Sequence, residues 1–267
     1  MATLSLPVVE KTSGVILYEG PSFINGKDIV VVATFKTDNE KTGNMVQVWI
    51  LVADLQPLKA NYSGADEAVC GGCKHRHFRS CYVNLAHGPL HIWKAWKAGK
   101  YPRVQLQHST SELFRDRYVR LGAYGDPAAV PVEVLDTIAR VCAGWTGYTH
   151  QWMKKRFKPY RRFCMASCDT IEEVRKAQRR RWKPFFVRQE NEELPKGFFA
   201  CPASAEEGKR LTCAQCRVCR GGTWNRKMGL PSIIAHGTSW KKAYFNRGMK
   251  LMKQKKAFIG KFDRKIP

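Results

Sequence analysis

Four of the ten cysteines fall within nineteen residues, as Cys201-Pro-Ala-Ser204 followed by Cys213-Ala-Gln-Cys216-Arg-Val-Cys219. Three cysteines with two residues between neighbours can aim their thiolates at one centre, and the Cys-Pro supplies a fourth sulfur. That spacing suits a [4Fe–4S] cluster, whose ligands commonly combine such a run with a separate Cys-Pro. Zinc is the competing metal, although all-cysteine zinc sites are usually built from two separated Cys-x2-Cys pairs and not from a run of three. The expectation is that Cys201, Cys213, Cys216 and Cys219 bind one metal centre, with sulfurs within a few ångströms of a shared point.

A second set lies far upstream, in Cys70-Gly-Gly-Cys73-Lys-His-Arg-His-Phe-Arg-Ser-Cys81-Tyr82. It follows two β-branched, apolar segments, 28–35 and 45–53, which read as a hairpin or as neighbouring strands because Thr37–Gly43 between them is turn chemistry. Cys70, Cys73 and Cys81 are only three ligands. A three-thiolate site leaves a coordination position open, as a reactive centre requires, unless His75, His77 or His87 closes it as a zinc held by three cysteines and one histidine. A thiol oxidoreductase using Cys70-Gly-Gly-Cys73 is a weaker third reading, since no thioredoxin pattern accompanies the pair.

The rest of the chain supplies a frame. Pro89, Leu90, Trp93 and Trp96 with Gly99 beyond mark a short helix whose tryptophans belong to the core. Ser109–Glu112 reads as a capping box. Val134, Leu135, Ile138, Val141 and Cys142 share a helix face, which makes Cys142 a core thiol. Six apolar segments each end in polar residues: Tyr118–Tyr124 at Gly125-Asp126, Trp145–Thr149 at His150, Phe163–Ser167 at Cys168-Asp169, Pro184–Val187 at Arg188, Phe198–Ala200 at Cys201, and Ser232–Ala235 at His236. Asp169 with Glu172, or Thr170 with Glu173, caps a following helix.

Strands alternating with helices, with polar residues at the strand C-termini, define an α/β class. The expected architecture is a complete or partial (β/α) barrel with an N-terminal strand pair and cysteine-rich metal-binding loops. An open doubly wound sheet is the alternative, and no Gly-rich dinucleotide fingerprint supports it. Residues 1–240 form one barrel-like domain and 241–267 a basic C-terminal helix or tail. Recurrence at one strand edge makes Asp126 and His150 catalytic candidates beside the three cysteines, and Gly125, Asp126, Arg188 and His236 candidates for binding a cofactor.

The net charge of +24 points to a polyanionic partner or an anionic substrate. Most of it lies in residues 154–188 and 238–267, where Phe157, Tyr160, Trp182, Trp240, Tyr244 and Phe245 interleave with the cations as a base-stacking, phosphate-contacting surface would require. Nucleic acid is therefore the expected partner. No apolar run approaches the ~20 residues that cross a bilayer, so no membrane association is expected. Met1-Ala-Thr-Leu-Ser-Leu-Pro lacks the features of a signal peptide, and the cysteines are too dilute for a disulfide scaffold, so reduced thiols and a cytoplasmic location are expected.

A strand and three-cysteine loop, then a (β/α) barrel, then a C-terminal cysteine cluster resembles the plan of the radical S-adenosylmethionine superfamily. The superfamily usually carries Cys-x3-Cys-x2-Cys, where this chain has Cys-x2-Cys-x7-Cys with Tyr82 following. The resemblance implies a reactive [4Fe–4S] cluster on Cys70, Cys73 and Cys81, S-adenosylmethionine as cofactor, and an auxiliary C-terminal cluster. Leu121-Gly-Ala-Tyr-Gly-Asp-Pro127, Gly147-Tyr-Thr-His-Gln-Trp152, Met165-Ala-Ser-Cys-Asp-Thr170 and Cys201-Pro-Ala-Ser204 are also similar to a family of uncharacterised bacteriophage and prophage proteins, which implies a phage origin and the host cytoplasm. Two functions follow as expectations: an iron–sulfur enzyme acting on nucleic acid or another anionic substrate, and a non-catalytic, zinc- or iron–sulfur-stabilised nucleic-acid-binding protein.

Overall fold

A computed structural model describes residues 12–104, 112–225, 227 and 229–262. The capping box expected at Ser109–Glu112 lies largely outside these residues. The chain forms a mixed α/β structure with two five-stranded sheets, in the orders β1-β2-β3-β4-β5 and β6-β7-β8-β10-β9.

The first sheet opens with β1 (Gly14–Pro21), a strand absent from the sequence reading, followed by β2 (Asp28–Thr34) and β3 (Val46–Val52). These three are antiparallel, and the turn chemistry at Thr37–Gly43 does close a hairpin between β2 and β3. β2 is central and covered on both faces, so Ile29, Val30, Val31, Val32 and Ala33 are all fully buried, which explains its unbroken apolar run. Burial of each such side chain is worth about 1.5–3 kcal/mol. β4 (Tyr118–Tyr124) and β5 (Gly144–Thr146) then add in parallel to β3.

The second sheet is entirely parallel: β6 (Tyr148–Thr149), β7 (Met165–Cys168), β8 (Pro184–Arg188), β9 (Phe198–Ala200) and β10 (Leu230–Ile234). The strand expected over Trp145–Thr149 is split at Gly147, so one residue joins the sheets. A Cβ there would sit 2.8 Å from the Phe163 carbonyl oxygen and 3.1 Å from Cys164 Sγ, which is why glycine occupies the junction. The described strands form two sheets and no closed barrel.

Helices α1 (Pro57–Ser63), α2 (Gly88–Lys97), α3 (Val132–Val141) and α4 (Ile171–Arg179) connect or cover the strands. α2 begins with its proline in the first turn. Trp93 and Trp96 are half-buried, and their indole N–H groups donate to the Val52 carbonyl and to Glu19. α3 buries Val134, Leu135 and Ile138, while Cys142, just beyond it, is only half-buried. In α4 the cap is Thr170, whose hydroxyl accepts from the Glu173 N–H, and Glu173 in turn accepts from the Asp169 N–H. The basic C-terminal segment is a helix, α5 (Ser239–Phe262). Its Phe245 and Met249 are buried, and a Cβ at Gly248 would lie 2.4 Å from the Phe78 ring, so α5 packs closely over the loop that follows Cys73.

Candidate functional site

Because β4 to β10 run parallel within their sheets, their C-terminal ends gather, and a cavity of about 380 Å³ lies there. That volume is in the range of small-molecule sites, roughly 300–1,000 Å³. Cys70, Cys73, Cys81, Cys201, Cys213, Cys216 and Cys219 all line it. Cys142, Cys164 and Cys168 do not, and all ten cysteines are free thiols.

The first set is held by side chains. Asp66 is buried and accepts from Arg76 Nε at 2.9 Å and from Asn61 Nδ2 at 2.8 Å, which folds the loop back on itself. Gln151 then clamps it: its Oε1 accepts from the Gly72 N–H at 3.2 Å, and its Nε2 donates to the Cys70 carbonyl at 3.0 Å. Gly71 has φ 53°, and a Cβ there would meet Gln151 Oε1 at 2.6 Å, so Cys-Gly-Gly-Cys is the sequence that lets the amide in. Asp126 joins this clamp to the strand ends. Its Oδ1 accepts from the Ala128 N–H at 2.9 Å, and its Oδ2 accepts from the His150 N–H at 2.8 Å and from Gln151 at 3.3 Å. Both of its oxygens are therefore occupied, and Asp126 serves as an organiser of the wall.

The second set is docked by backbone. Thr212 and Gln215 make a capping box around the single turn Cys213–Cys216, and Arg217 ends it in the left-handed region at φ 61°. The Cys213 and Ala214 N–H groups donate to the Lys41 and Thr42 carbonyls of the β2–β3 turn, at 2.9 and 3.2 Å. The Cys201 N–H donates to Ser232 at 2.7 Å, and the Cys219 carbonyl accepts from Gly147 at the sheet junction at 3.2 Å.

Burial, reinforced by repulsion from Cys73 and Cys81, pushes the Cys70 thiol well up, and burial with Cys81 does the same to Cys73. Cys219 is raised by burial and by Cys201, Cys213 and Cys216, so the four members of the second set act on one another. Raised thiols are the reverse of the lowered thiol that a reactive redox pair uses.

The remaining candidates divide. Gly125, Asp126, His150 and His236 line the cavity, whereas Arg188 does not: it is buried in an ion pair with Glu207 and donates to the Glu192 carbonyl at 2.9 Å. Gly125, at φ 85°, would bring a Cβ to 2.6 Å from Ile50 Cβ, so its bare backbone fits tightly against β3. His75 is engaged at both nitrogens, Nδ1 with Ser80 Oγ at 2.9 Å and Nε2 with Asp169 Oδ1 at 3.2 Å. His77 and His87 are exposed and do not line the cavity.

The sequence reading missed the cations of the wall. Lys41, Arg120 and Lys241 line the cavity, and among the described residues none of them has a carboxylate in ion-pair contact. Arg120 Nη2 donates to the Tyr82 hydroxyl at 2.5 Å, Lys41 Nζ lies 3.5 Å from His236 Nε2, and Lys241 Nζ donates to the Val83 carbonyl at 2.9 Å. An arginine in a buried parallel strand was the one available signal. Lys41 sits in a turn whose chemistry explained it without any site.

The expected stacking surface is mostly absent. Phe157, Tyr160 and Trp182 are core residues, Phe245 is buried against His75, and only Trp240 and Tyr244 are exposed. Among the described residues no helix is long and apolar enough to cross a membrane. Comparison with protein-family models, with curated proteins and with solved structures returns no match.

Proposed function

We propose that this chain is an iron–sulfur protein, with one cluster on Cys201, Cys213, Cys216 and Cys219 and a second on Cys70, Cys73 and Cys81 that keeps a coordination position open. The observation that carries the reading is the convergence of seven free thiols, from segments far apart in the chain, on one cavity at the strand C-termini. Buried thiols are costly to ionise, and a metal that replaces their protons is the ordinary reason to gather them. As it stands, the donor set is spaced too widely for one zinc ion. Zinc with thiolates at about 2.3 Å draws its sulfurs to roughly 3.8 Å apart, whereas among the described residues no three cysteine sulfurs all lie within 4.8 Å of one another.

The open position is supported by where the imidazoles point. His75 is engaged by Ser80 and Asp169, and His77 and His87 are exposed and do not line the cavity. Lys41, Arg120 and Lys241 offset the negative charge that thiolate ligands bring. Arg120 and Lys241 act on Cys81, and Arg120 and Lys41 act on Cys213, so the cations serve both sets. Gln151 and Asp126 fix the turn that carries Cys70 and Cys73. Cys70, Cys73 and Cys81 would hold a cluster that, once reduced by an external electron donor, could pass one electron to S-adenosylmethionine, as in the superfamily that the chain resembles. We extend the reading to an anionic substrate, nucleic acid being the class that the +24 charge favours.

The test is iron, sulfide and absorption analysis of protein purified without oxygen, with S-adenosylmethionine binding measured on wild type and Cys73→Ala. Expected are two clusters in wild type, one in the variant, and cofactor binding by wild type alone. An intact three-cysteine cluster that leaves the cofactor unbound under reducing conditions removes the radical-enzyme reading.

A second reading, a non-catalytic nucleic-acid-binding protein of phage origin, is favoured by one feature. Trp240 and Tyr244 are exposed side by side on the lysine-rich helix α5, with ring centroids 5.8 Å apart. That surface should bind single strands with log K falling by about 0.7 per tenfold rise in salt for each phosphate neutralised. Binding indifferent to salt would exclude it.

A further inference from the structure

His75, His150 and Asp169 are a different class of ligand from the cysteines, although they border the first set: His75 lies two residues past Cys73, and both histidines line the same cavity. They come from the turn after Cys73, the end of β6 and the end of β7, and their three ligand atoms all lie within 4.8 Å of one another. Among the described residues no other such group of histidine, cysteine or carboxylate ligands occurs. The 3.2 Å between His75 Nε2 and Asp169 Oδ1 is the separation two ligands take when one ion binds each at about 2.1 Å with angles near 90–109°, roughly 3.0–3.4 Å.

The surroundings are those of a prepared ligand set. Ser80 Oγ, 2.9 Å from His75 Nδ1, orients that ring so that Nε2 faces Asp169, which is how outer groups position a metal-binding histidine. Asp169 Oδ2 is held by the Lys74 ammonium at 2.7 Å, and Glu173 grips the same ammonium at 2.8 Å through both of its oxygens, so the carboxylate is fixed with Oδ1 toward the rings. His150 Nε2 is shut from solvent and has no hydrogen-bond partner. A buried polar atom left so costs about 1–3 kcal/mol unless something meets it.

We propose that His75, His150 and Asp169 form a mononuclear site for a divalent transition-metal ion, separate from both cysteine sets. His75 and His150 line the cavity while Asp169 does not, so an ion bound there has its protein ligands behind it and its remaining positions toward the cavity. Two imidazoles and one carboxylate suit Fe²⁺, Co²⁺ or Zn²⁺ better than the oxygen-seeking Mg²⁺ or Ca²⁺. Lys74 competes for Asp169 and limits the affinity. The site does not depend on the cysteine sets holding iron.

Cobalt(II) titration tests this, because cobalt on nitrogen and oxygen ligands gives visible bands without the near-ultraviolet charge-transfer absorption of a cobalt–thiolate bond. Wild-type protein is expected to take up one equivalent of this thiolate-free type. His150→Ala and Asp169→Asn should weaken that uptake by at least about 10–100-fold and leave iron and sulfide content unchanged. Lys74→Met should tighten it several-fold, a gain that misfolding cannot mimic. Uptake carrying only thiolate absorption, or thiolate-free uptake unchanged in both His150→Ala and Lys74→Met, would overturn the proposal.

Discussion

The two cysteine sets reach the same cavity by different means. The first is three thiols on a loop fastened by side chains, with Gln151, Asp126, Arg76 and Asp66 carrying the load. The second is four thiols, from the end of β9, the turn Cys213–Cys216 and Cys219 beyond it, fastened by backbone hydrogen bonds to β10, to the β2–β3 turn and to the sheet junction. Backbone docking fixes a site whatever the side chains nearby. Side-chain clamping ties a site to particular residues that can be lost one at a time. On the proposed reading the contrast is the one expected between a structural centre with its ligands complete and a working centre with one position to spare.

The largest break should come from the second set. Cys219→Ala should take iron from about eight to about four per chain and, because Cys219 sits where the sheets meet, also lower thermal stability. Cys73→Ala should remove a similar amount of iron while the midpoint of unfolding moves much less. Equal destabilisation by the two variants would erase the distinction.

Next comes the clamp. Gln151→Ala strips partners from the exposed Gly72 N–H and the half-buried Cys70 carbonyl, which loosens the loop while water can still reach the freed groups. The loss should fall on the cluster of the first set and spare that of the second, as the iron content and spectra of the variant would reveal. Arg120→Gln should act on both sets, lowering both reduction potentials by something on the order of 50 mV through the loss of one nearby positive charge. A shift confined to one centre would show that Arg120 belongs to that set alone.

The smallest effect concerns pH. Burial first, and then the Lys41 charge, holds the His236 imidazole down to about 4, below its unfolded value near 6.5. The unfolded chain therefore takes up a proton that the folded one refuses as pH falls through 6.5. Stability should be level above pH 7 and fall between about 6.5 and 4, by an amount of order 1–3 kcal/mol. Denaturant titrations of wild type and His236→Gln across that window measure it, and curves that stay parallel would refute it.

Much of the frame was legible because burial on both faces leaves unbroken apolar runs. β2, β3 and β4 appear within a residue or two of where the sequence put them, and so do the polar ends of the later strands. β1 was missed although Val15-Ile16-Leu17 is a buried apolar run, because that run is short and Glu19-Gly20-Pro21 ends the strand in turn-like residues at a sheet edge. The cysteines announced themselves by spacing, which is local. Gln151, Arg120, Lys41 and Lys241 did not, since each acquires its role only when segments distant in the chain meet. The aromatics misled for the same reason: a ring among arginines is written alike whether it faces solvent, as Trp240 does, or the core, as Trp182 does.

The Gln151 clamp also sets a timetable. The amide that closes the Cys-Gly-Gly-Cys loop lies 81 residues beyond Cys70, so at roughly 5–20 residues per second the ribosome needs several seconds more after Cys70 to deliver it. Until then three thiols ride on an unfastened loop, open to oxidation and to the wrong metal. On the proposed reading, filling of the first site follows synthesis of the clamp, and a delivery partner would meet the fastened loop only once more than half of the chain has been made.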